Sequence, residues 1–157
     1  MQRLNDAGLT SALQRAIETG KPFLGICLGL QLLFESSTES PGVAGLGILK
    51  GRVVGFAETP NFPLRVPHMG WSRLRLAQPD CPLWQGIPDG AYVYFVHSYY
   101  PAPADESLIT AYCEYGVRFA CAVGVGNLYA VQFHPEKSSD TGLQILRNFL
   151  AVVGAAP

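Results

Sequence analysis

The sequence predicts an α/β fold in which helices flank a sheet that contains parallel strands. Three observations predict this class: an amphipathic helix near the amino terminus, a buried apolar run after it, and a second helical segment directly behind that run. The length of 157 residues suits one domain, because domains commonly have about 100–200 residues. Hydrophobic residues make up 48% and charged residues 15%, which is typical of a chain with a globular core.

The first third of the chain shows the order helix, strand, helix. Apolar side chains repeat at helical spacing over residues 9–17, and Gly20 ends that helix. Residues 22–27 predict a strand that is buried on both faces, and residues 28–35 predict a helix. A helix ahead of a parallel strand normally follows an earlier strand. We therefore expect that this chain lacks the first strands of its fold.

The middle and the end of the chain predict strands followed by a closing helix. The expected strands are residues 48–56, 64–69, 73–76, 92–99, 108–115, 119–123 and 128–134. Gly126 and Asn127 predict a hairpin turn between the last two strands. The apolar residues of the closing helix that share one face run from Leu143 to Leu150 and include Leu146 and Phe149.

Charge and composition exclude several classes of function. The 11 basic and 12 acidic residues give a net charge of −1, which argues against nucleic acid as the main partner. The longest apolar stretch, residues 23–34, is too short for a membrane span of about 20 residues. The four cysteines form no CxxC pair, so we expect no metal, no disulfide framework and a reducing, cytoplasmic location.

The sharpest local motif is Gly-x-Cys-x-Gly, centred on Cys27 between a predicted strand and a predicted helix. This is the pattern of a nucleophile at the apex of a tight turn, with glycines on both sides that allow close backbone approach. The start of a helix at this point is expected to lower the pKa of the thiol. It also offers the backbone N–H of Leu28 as a donor to an oxyanion. A buried strand cysteine without chemistry is the competing interpretation.

A second motif, Phe-His-Pro-Glu, supplies a possible base. Alternate residues at a strand end share one side, so His134 and Glu136 can face the same site. The carboxylate would fix the tautomer of the imidazole and support its protonated form. Together with Cys27, the pair suggests a nucleophile, a base and an orienting acid for acyl transfer. His68 and His97 are weaker candidates for the base, because neither has a carboxylate two residues away.

These two motifs resemble the active-site segments of class I glutamine amidotransferases. Residues 25–35 resemble the nucleophile segment of that family, and residues 132–136 resemble its histidine–glutamate segment. Further stretches are similar to the glutaminase subunits of imidazole glycerol phosphate synthase, namely residues 45–48 with 51–53, 66–71, 94–100 and 136–139. Ser72 departs from the family, which usually has Asn at this position.

The resemblance implies a flavodoxin-like mixed sheet flanked by helices and a glutaminase that hydrolyses glutamine to glutamate and ammonia. It implies a partner, the (β/α)8-barrel cyclase subunit, which uses the ammonia in histidine biosynthesis as part of a cytoplasmic heterodimer. The family implies no cofactor and no metal. A single amidotransferase domain would then cover residues 1–157.

The resemblance also assigns roles to individual residues. It makes Cys27 the nucleophile that forms a thioester, His134 the base, and Glu136 the residue that orients His134. It gives Leu28 an oxyanion role. The implied glutamine contacts are Gln31, Ser98 and Tyr99, and the implied partner-facing residues are Tyr94 and Lys137.

Family members carry earlier strands and a Pro-Gly-containing loop before the first helix of this chain. We expect about 35–45 residues to be missing here, including a second oxyanion donor. Loss of one such donor typically costs about a hundred- to a thousandfold in turnover, so we expect this chain alone to be a poor enzyme.

Three alternatives stay open at this point. The chain could be a glutaminase of another amidotransferase, such as anthranilate synthase or GMP synthetase. It could be a cysteine peptidase-like hydrolase on a similar fold. It could also be a non-catalytic or impaired fragment that docks to the cyclase.

Overall fold

Four α-helices and ten strands form residues 1–155, the part of the chain that the computed structural model describes. The helices are α1 (Gln2–Asp6), α2 (Leu9–Glu18), α3 (Leu28–Gln31) and α4 (Ser139–Ala155). The strands are β1 (Phe23–Ile26), β2 (Phe34–Ser37), β3 (Leu49–Gly55), β4 (His68–Arg73), β5 (Arg75–Leu76), β6 (Tyr92–His97), β7 (Tyr99–Pro103), β8 (Ile109–Tyr115), β9 (Val117–Val125) and β10 (Leu128–Val131).

The largest sheet is mixed and has the strand order β1-β10-β9-β8-β5. Strands β1 and β10 pair in parallel, and the other neighbours pair antiparallel. The hairpin between β9 and β10 turns at Gly126, whose φ of 55° is in the left-handed region that glycine adopts easily. The predicted α/β class with a mixed sheet and flanking helices is confirmed, as is the hairpin turn.

Two smaller sheets complete the fold and build one side of the candidate site. Strands β2, β3 and β7 form a three-stranded sheet, with β2 parallel to β3. Strands β4 and β6 form an antiparallel pair in which Trp71 lies opposite Tyr94. One residue, Ser98, separates β6 from β7, so the chain passes from one small sheet directly into the other.

Apolar side chains form two buried clusters on either side of the large sheet. One cluster is rich in aromatic rings and includes Phe95, Phe119 and Phe133, all nearly inaccessible to solvent. The other packs α3 and β3 against the sheet through Leu30 and Val53. Full burial of such side chains stabilises the fold by about 1.5–3 kcal/mol each. The two clusters fix the positions of β1 and β10, whose ends carry the candidate site.

The predicted helix over residues 28–35 is wrong in its second half. Helix α3 stops at Gln31, and β2 begins at Phe34. The loop that leads into β3 accounts for the early end, because Leu46 N–H donates to Leu32 O and Leu49 N–H donates to Leu33 O. These tertiary hydrogen bonds occupy carbonyls that a longer helix would have used.

The predicted strand over residues 64–69 is also wrong at its start. Strand β4 begins at His68, and the exposed side chains of Leu64 and Val66 lie outside any strand. Pro63 and Pro67 have no N–H to donate to a neighbouring strand, which accounts for the irregular backbone of this segment.

The face predicted for the closing helix is partly wrong. Leu143 and Leu150 are 46% and 65% exposed, whereas Ile145 and Asn148 face the core. Asn148 is buried because its amide donates to the backbone carbonyl of Leu83 at 2.8 Å. A polar residue therefore occupies part of the packed face, and a search for apolar periodicity misses it.

None of the helices within residues 1–155 is long and apolar enough to cross a bilayer.

Candidate functional site

Cys27 lies at the apex of the turn between β1 and α3, as the sequence predicts. Its backbone has φ 51° and ψ −106°, an unfavourable conformation for a residue with a Cβ. The backbone N–H of Cys27 donates to Val131 O of β10 at 2.8 Å and holds the turn in place. The half-buried thiol is thus presented by a strained backbone that the surrounding strands fix in place.

The two glycines of the motif differ in what they contribute. A Cβ at Gly25 would lie 2.9 Å from Gly29 O and 3.1 Å from Ala130 Cβ, so α3 folds back directly onto β1 at this point. A Cβ at Gly29 would meet no atom within 4 Å. The prediction that a glycine is required because another backbone segment approaches closely is confirmed for Gly25. It is wrong for Gly29, where a Cβ would have room.

The predicted lowering of the Cys27 thiol pKa is wrong. Burial raises the pKa of this thiol, while a hydrogen bond from the Leu28 N–H lowers it by a smaller amount. The nearby charge of Glu136 raises the pKa further, and the side-chain amide of Gln132 lowers it. With four residues, α3 is too short to outweigh the burial of the sulfur. The thiol therefore needs a base to remove its proton.

His134 and Glu136 form the predicted pair. Nδ1 of His134 lies 2.7 Å from Oε1 of Glu136, and a carboxylate at this position fixes the proton on Nδ1. The lone pair of Nε2 is then free to accept a proton. Nε2 is buried and has no hydrogen-bond partner within residues 1–155.

The sheet topology brings the thiol and the imidazole to the same edge. Strands β1 and β10 are parallel neighbours, with Ile26 opposite Val131 at their carboxyl ends. Cys27 follows β1 directly, and His134 lies three residues beyond the end of β10. Carboxyl ends of parallel strands are a common location for catalytic groups in open α/β sheets.

The turn that carries His134 is held by a residue to which the sequence assigned no role. Ser138 is completely buried, and its hydroxyl donates to His134 O at 2.6 Å and accepts the N–H of Tyr94 at 2.9 Å. The start of α4 packs on the same turn so closely that a Cβ at Gly142 would lie 1.8 Å from Pro135 O. Strand β6 and helix α4 thus clamp the His-Pro-Glu turn from two sides.

A cleft of about 330 Å³ opens next to Cys27 and contains the predicted substrate contacts. Its walls include Leu28, Gln31, Ser98 and Tyr99. The side-chain amide of Gln31 donates to Tyr99 O at 2.9 Å, which ties α3 to the start of β7. The structure therefore brings all four of these residues beside the thiol.

Gln132 is a further residue of the site whose individual role the sequence did not reveal. It is completely buried, accepts a hydrogen bond from Gln31 Nε2 at 3.1 Å, and places its own Nε2 3.8 Å from Cys27 Sγ. A glutamine between the buried apolar residues Val131 and Phe133 is an unusual core residue. That contrast was the available signal.

His68 and His97 are not free to act as the base. Both are buried, and burial lowers the pKa of His68 to about 4 and the pKa of His97 to about 3. Each ring nitrogen already has a partner, since the two rings bond each other and also contact Ser72 Oγ and Tyr99 O. His134, with an unpaired Nε2, is the better base.

The other three cysteines are buried packing residues. Cys113 and Cys121 lie inside β8 and β9, and burial raises the pKa of both thiols, to about 12 for Cys113. Cys81 precedes a short helical turn and also belongs to the core. Within residues 1–155 no group of three or more His, Cys, Asp and Glu side chains could hold a metal ion.

The predicted partner-facing residues Tyr94 and Lys137 lie on β6 and on the turn that follows His134. Alternate residues of β4 and β6 point away from the core, and the most exposed apolar side chains among them are Met69 (62%), Trp71 (51%) and Tyr92 (48%). Tyr94 is half-buried and packs edge-on against Trp71, with ring centroids 6.0 Å apart. Lys137 is exposed on the turn that also carries His134. We call the outward side of β4 and β6 the β4–β6 face.

Comparisons with known proteins show which family the chain matches. Residues 5–153 match the family described as glutamine amidotransferase class-I. A relative in Synechococcus elongatus named imidazole glycerol phosphate synthase subunit HisH is 52% identical over 157 residues, covering 99% of this chain and 71% of the relative. The protein of the same name in Geobacillus kaustophilus is 48% identical over 154 residues, with 97% and 72% covered.

Solved structures show the same fold. A crystal structure of a glutamine amidotransferase aligns with a TM-score of 0.68 at 22% identity, covering 96% of this chain and 71% of that chain. The structure of PurLQS from Thermotoga maritima aligns with a TM-score of 0.68 at 19% identity, with 91% and 67% covered.

Proposed function

The chain belongs to the class I glutamine amidotransferase family, and from this premise we propose that it is the glutaminase subunit of an imidazole glycerol phosphate synthase. In this role it hydrolyses glutamine to glutamate and supplies the ammonia to a cyclase subunit in histidine biosynthesis. The identity of about 50% to proteins named HisH supports the choice within the family. Residues 1–157 then act as one amidotransferase domain in a cytoplasmic heterodimer.

The observation that carries the proposal is the state of His134. Its Nδ1 is bound to Glu136, and its buried Nε2 is left unpaired at the sheet edge where Cys27 is presented. An unpaired buried nitrogen is costly, so its persistence supports a function in which it accepts a proton.

The residues support a two-step acyl transfer. Cys27 Sγ attacks the side-chain carbonyl carbon of glutamine while His134 Nε2 takes the thiol proton. The Leu28 N–H stabilises the negative oxygen that forms. His134 then gives its proton to the nitrogen of the tetrahedral intermediate, the C–N bond breaks, and ammonia departs as the thioester forms. Next, His134 takes a proton from water, which attacks the thioester; glutamate leaves and the thiol regains its proton.

The contacts around the cleft support glutamine as the substrate. Gln31 uses its Nε2 for Tyr99 O and for Gln132, so its Oε1 is the atom that can accept a hydrogen bond from a ligand. Ser98 and Tyr99 line the same cleft and are placed to hold the amino-acid end of glutamine. The reaction needs no cofactor and no metal.

The β4–β6 face supports a protein partner, for which we propose the (β/α)8-barrel cyclase. It exposes the apolar side chains of Met69, Trp71 and Tyr92, and aromatic residues and Met are enriched in protein interfaces. Tyr94 also contacts the active site directly, because its backbone carbonyl oxygen accepts the N–H of His134 at 2.9 Å. A partner that binds Tyr94 and Lys137 would therefore press on the turn that carries the base.

The experiment that tests the function measures glutamate release from glutamine with and without the cyclase subunit and its nucleotide ligand. Cys27→Ala should abolish release, whereas Cys81→Ala removes a thiol outside the cleft and should retain it. A loss of less than tenfold in Cys27→Ala would exclude this residue as the nucleophile.

The same assay separates the competing functions. Cleavage of peptides in preference to glutamine would favour a peptidase. Binding of the cyclase without any reactivity of the Cys27 thiol would favour a docking fragment. Stimulation by the ammonia-using subunit of a different pathway would assign the chain to another amidotransferase.

A further inference from the structure

Gln132 lies at the centre of the site yet contacts no solvent. It follows β10 by one residue and precedes His134 by two, and its backbone N–H donates to Cys121 O at 2.8 Å. Its side chain contacts the segment that follows β1, where it meets Cys27 at the turn and Gln31 at the end of α3. The amide therefore connects the residue that would attack glutamine with a residue that would bind it.

The direction of every hydrogen bond in this connection follows from one carbonyl. Tyr99 O can only accept, so the end of the Gln31 amide at 2.9 Å must be the NH₂ group. The same NH₂ group lies 3.1 Å from Gln132, so the facing end of Gln132 must be its oxygen. The NH₂ group of Gln132 is then directed at Cys27 Sγ, 3.8 Å away.

We propose that Gln132 is a positioning residue for glutamine hydrolysis, which donates a hydrogen bond to the sulfur of Cys27 and holds the Gln31 amide with its oxygen free for the substrate. This inference rests on the proposed function, since it assigns a task within that reaction. It goes beyond it by giving one buried amide two separable effects, one on the nucleophile and one on substrate binding.

The first effect concerns the thiolate. Burial and the charge of Glu136 both disfavour the negative sulfur, and the Gln132 N–H is one of two donors that counteract them. A donor to a buried charge is worth more than one in water, because little solvent competes for the charge. Loss of the donor should therefore lower the fraction of thiolate at neutral pH.

The second effect concerns Gln31. Without the Gln132 oxygen, the Gln31 amide keeps one hydrogen bond and can rotate away from its present direction. The free Oε1 would then no longer be fixed toward the cleft, which should weaken glutamine binding without changing the chemistry at sulfur.

Two substitutions of similar size separate these effects. Gln132→Glu keeps an oxygen for Gln31; as a carboxylate it removes the donor to Cys27 and also adds a negative charge beside the sulfur, so the effect of the lost donor alone is measured in Gln132→Met. Gln132→Met removes both hydrogen bonds and adds no charge. Gln144→Met is the matched control, because it deletes a side-chain amide that bonds Asn148 in α4, outside the site.

The measurements are the pH dependence of Cys27 alkylation by iodoacetamide, and kcat and KM for glutamate release with the cyclase present. Both Gln132 variants should raise the pKa of the thiol and slow alkylation at pH 7 by about tenfold. KM for glutamine should rise by about three- to tenfold in Gln132→Met and stay close to wild type in Gln132→Glu. Gln144→Met should match wild type in all three quantities.

An unchanged alkylation profile in Gln132→Met, with the variant folded by its thermal melt, would overturn the inference. Equal KM values in both variants would overturn the part that concerns Gln31. Neither result would affect the proposed function, which is tested separately by glutamate release from Cys27→Ala and by the competing substrates and partners described above.

Discussion

His68 donates a hydrogen bond from Nδ1 to Nε2 of His97 across 3.0 Å in the core beside the cleft. The direction is fixed by Tyr99 O, which accepts the Nδ1–H of His97 at 2.9 Å and leaves the other nitrogen of that ring as an acceptor. His68 Nε2 in turn accepts the hydroxyl proton of Ser72 at 2.8 Å. This arrangement requires both rings to be neutral, and burial favours the neutral form by lowering the pKa of His68 to about 4 and the pKa of His97 to about 3.

This pair predicts that the fold loses stability in mild acid. Each histidine binds a proton near pH 6.5 when unfolded, but well below that when folded, so the unfolded chain binds more protons as the pH falls. The free energy of unfolding should be highest above about pH 6.5 and fall toward pH 4. Each ring contributes a slope of at most about 1.4 kcal/mol per pH unit.

Urea unfolding between pH 7.5 and pH 5 checks this, in a range above the usual titration of the carboxylates. The double variant His68→Gln with His97→Gln should be less stable at pH 7.5 and should show a flatter pH dependence. A wild-type stability that does not change between pH 6.5 and pH 5 would contradict the prediction.

The two glycines around Cys27 provide a matched pair of substitutions. Gly25→Ala should destabilise the fold by about 1–3 kcal/mol, because its Cβ would press on the backbone of α3 at 2.9 Å. Gly29→Ala should change stability by less than about 0.5 kcal/mol, because its Cβ meets open space. Chemical denaturation measures both, and an equal loss in the two variants would contradict the close approach at Gly25.

The sequence predicted the elements whose signal is local. The Cys27 turn, the hairpin at Gly126 and the His134–Glu136 pair follow from short-range backbone geometry, and the structure contains all three. Gln132 contacts Cys27, and Ser138 contacts Tyr94; both partners lie far away in the chain, and a single sequence shows no such contacts. The thiol pKa was predicted in the wrong direction because burial depends on the whole packed site.

Helix α4 should control the geometry of the base. Gly142→Ala would place a Cβ 1.8 Å from Pro135 O, so either the helix or the His-Pro-Glu turn must move. Because a small misplacement of a catalytic group can cost about a hundredfold, kcat for glutamate release should fall by at least tenfold. Gly154→Ala, in the same helix with no atom within 4 Å, is the control and should retain wild-type kcat. Comparable kcat values in the two variants would refute a positioning role for this contact.

Glu136 should affect the thiol and the reaction in opposite directions. Its charge raises the pKa of Cys27, so Glu136→Gln should lower that pKa and speed alkylation of the thiol at pH 7. The same substitution leaves protonated His134 without a counter-charge, so kcat for glutamate release should fall by about a hundredfold or more. Alkylation and turnover that both decrease would show that the variant disrupts the site as a whole.

The β4–β6 face should contribute most of the binding affinity for the cyclase. Trp71 and Met69 are exposed on it, and Trp71 also packs against Tyr94, whose carbonyl holds the N–H of His134. Trp71→Ala should weaken cyclase binding by at least thirtyfold, since a central aromatic residue of an interface commonly contributes 2 kcal/mol or more. Leu150→Ala is the control, because Leu150 is 65% exposed on α4 and lies outside the β4–β6 face. Calorimetric titration with the purified cyclase measures both affinities, and an effect of Leu150→Ala equal to that of Trp71→Ala would place the interface elsewhere.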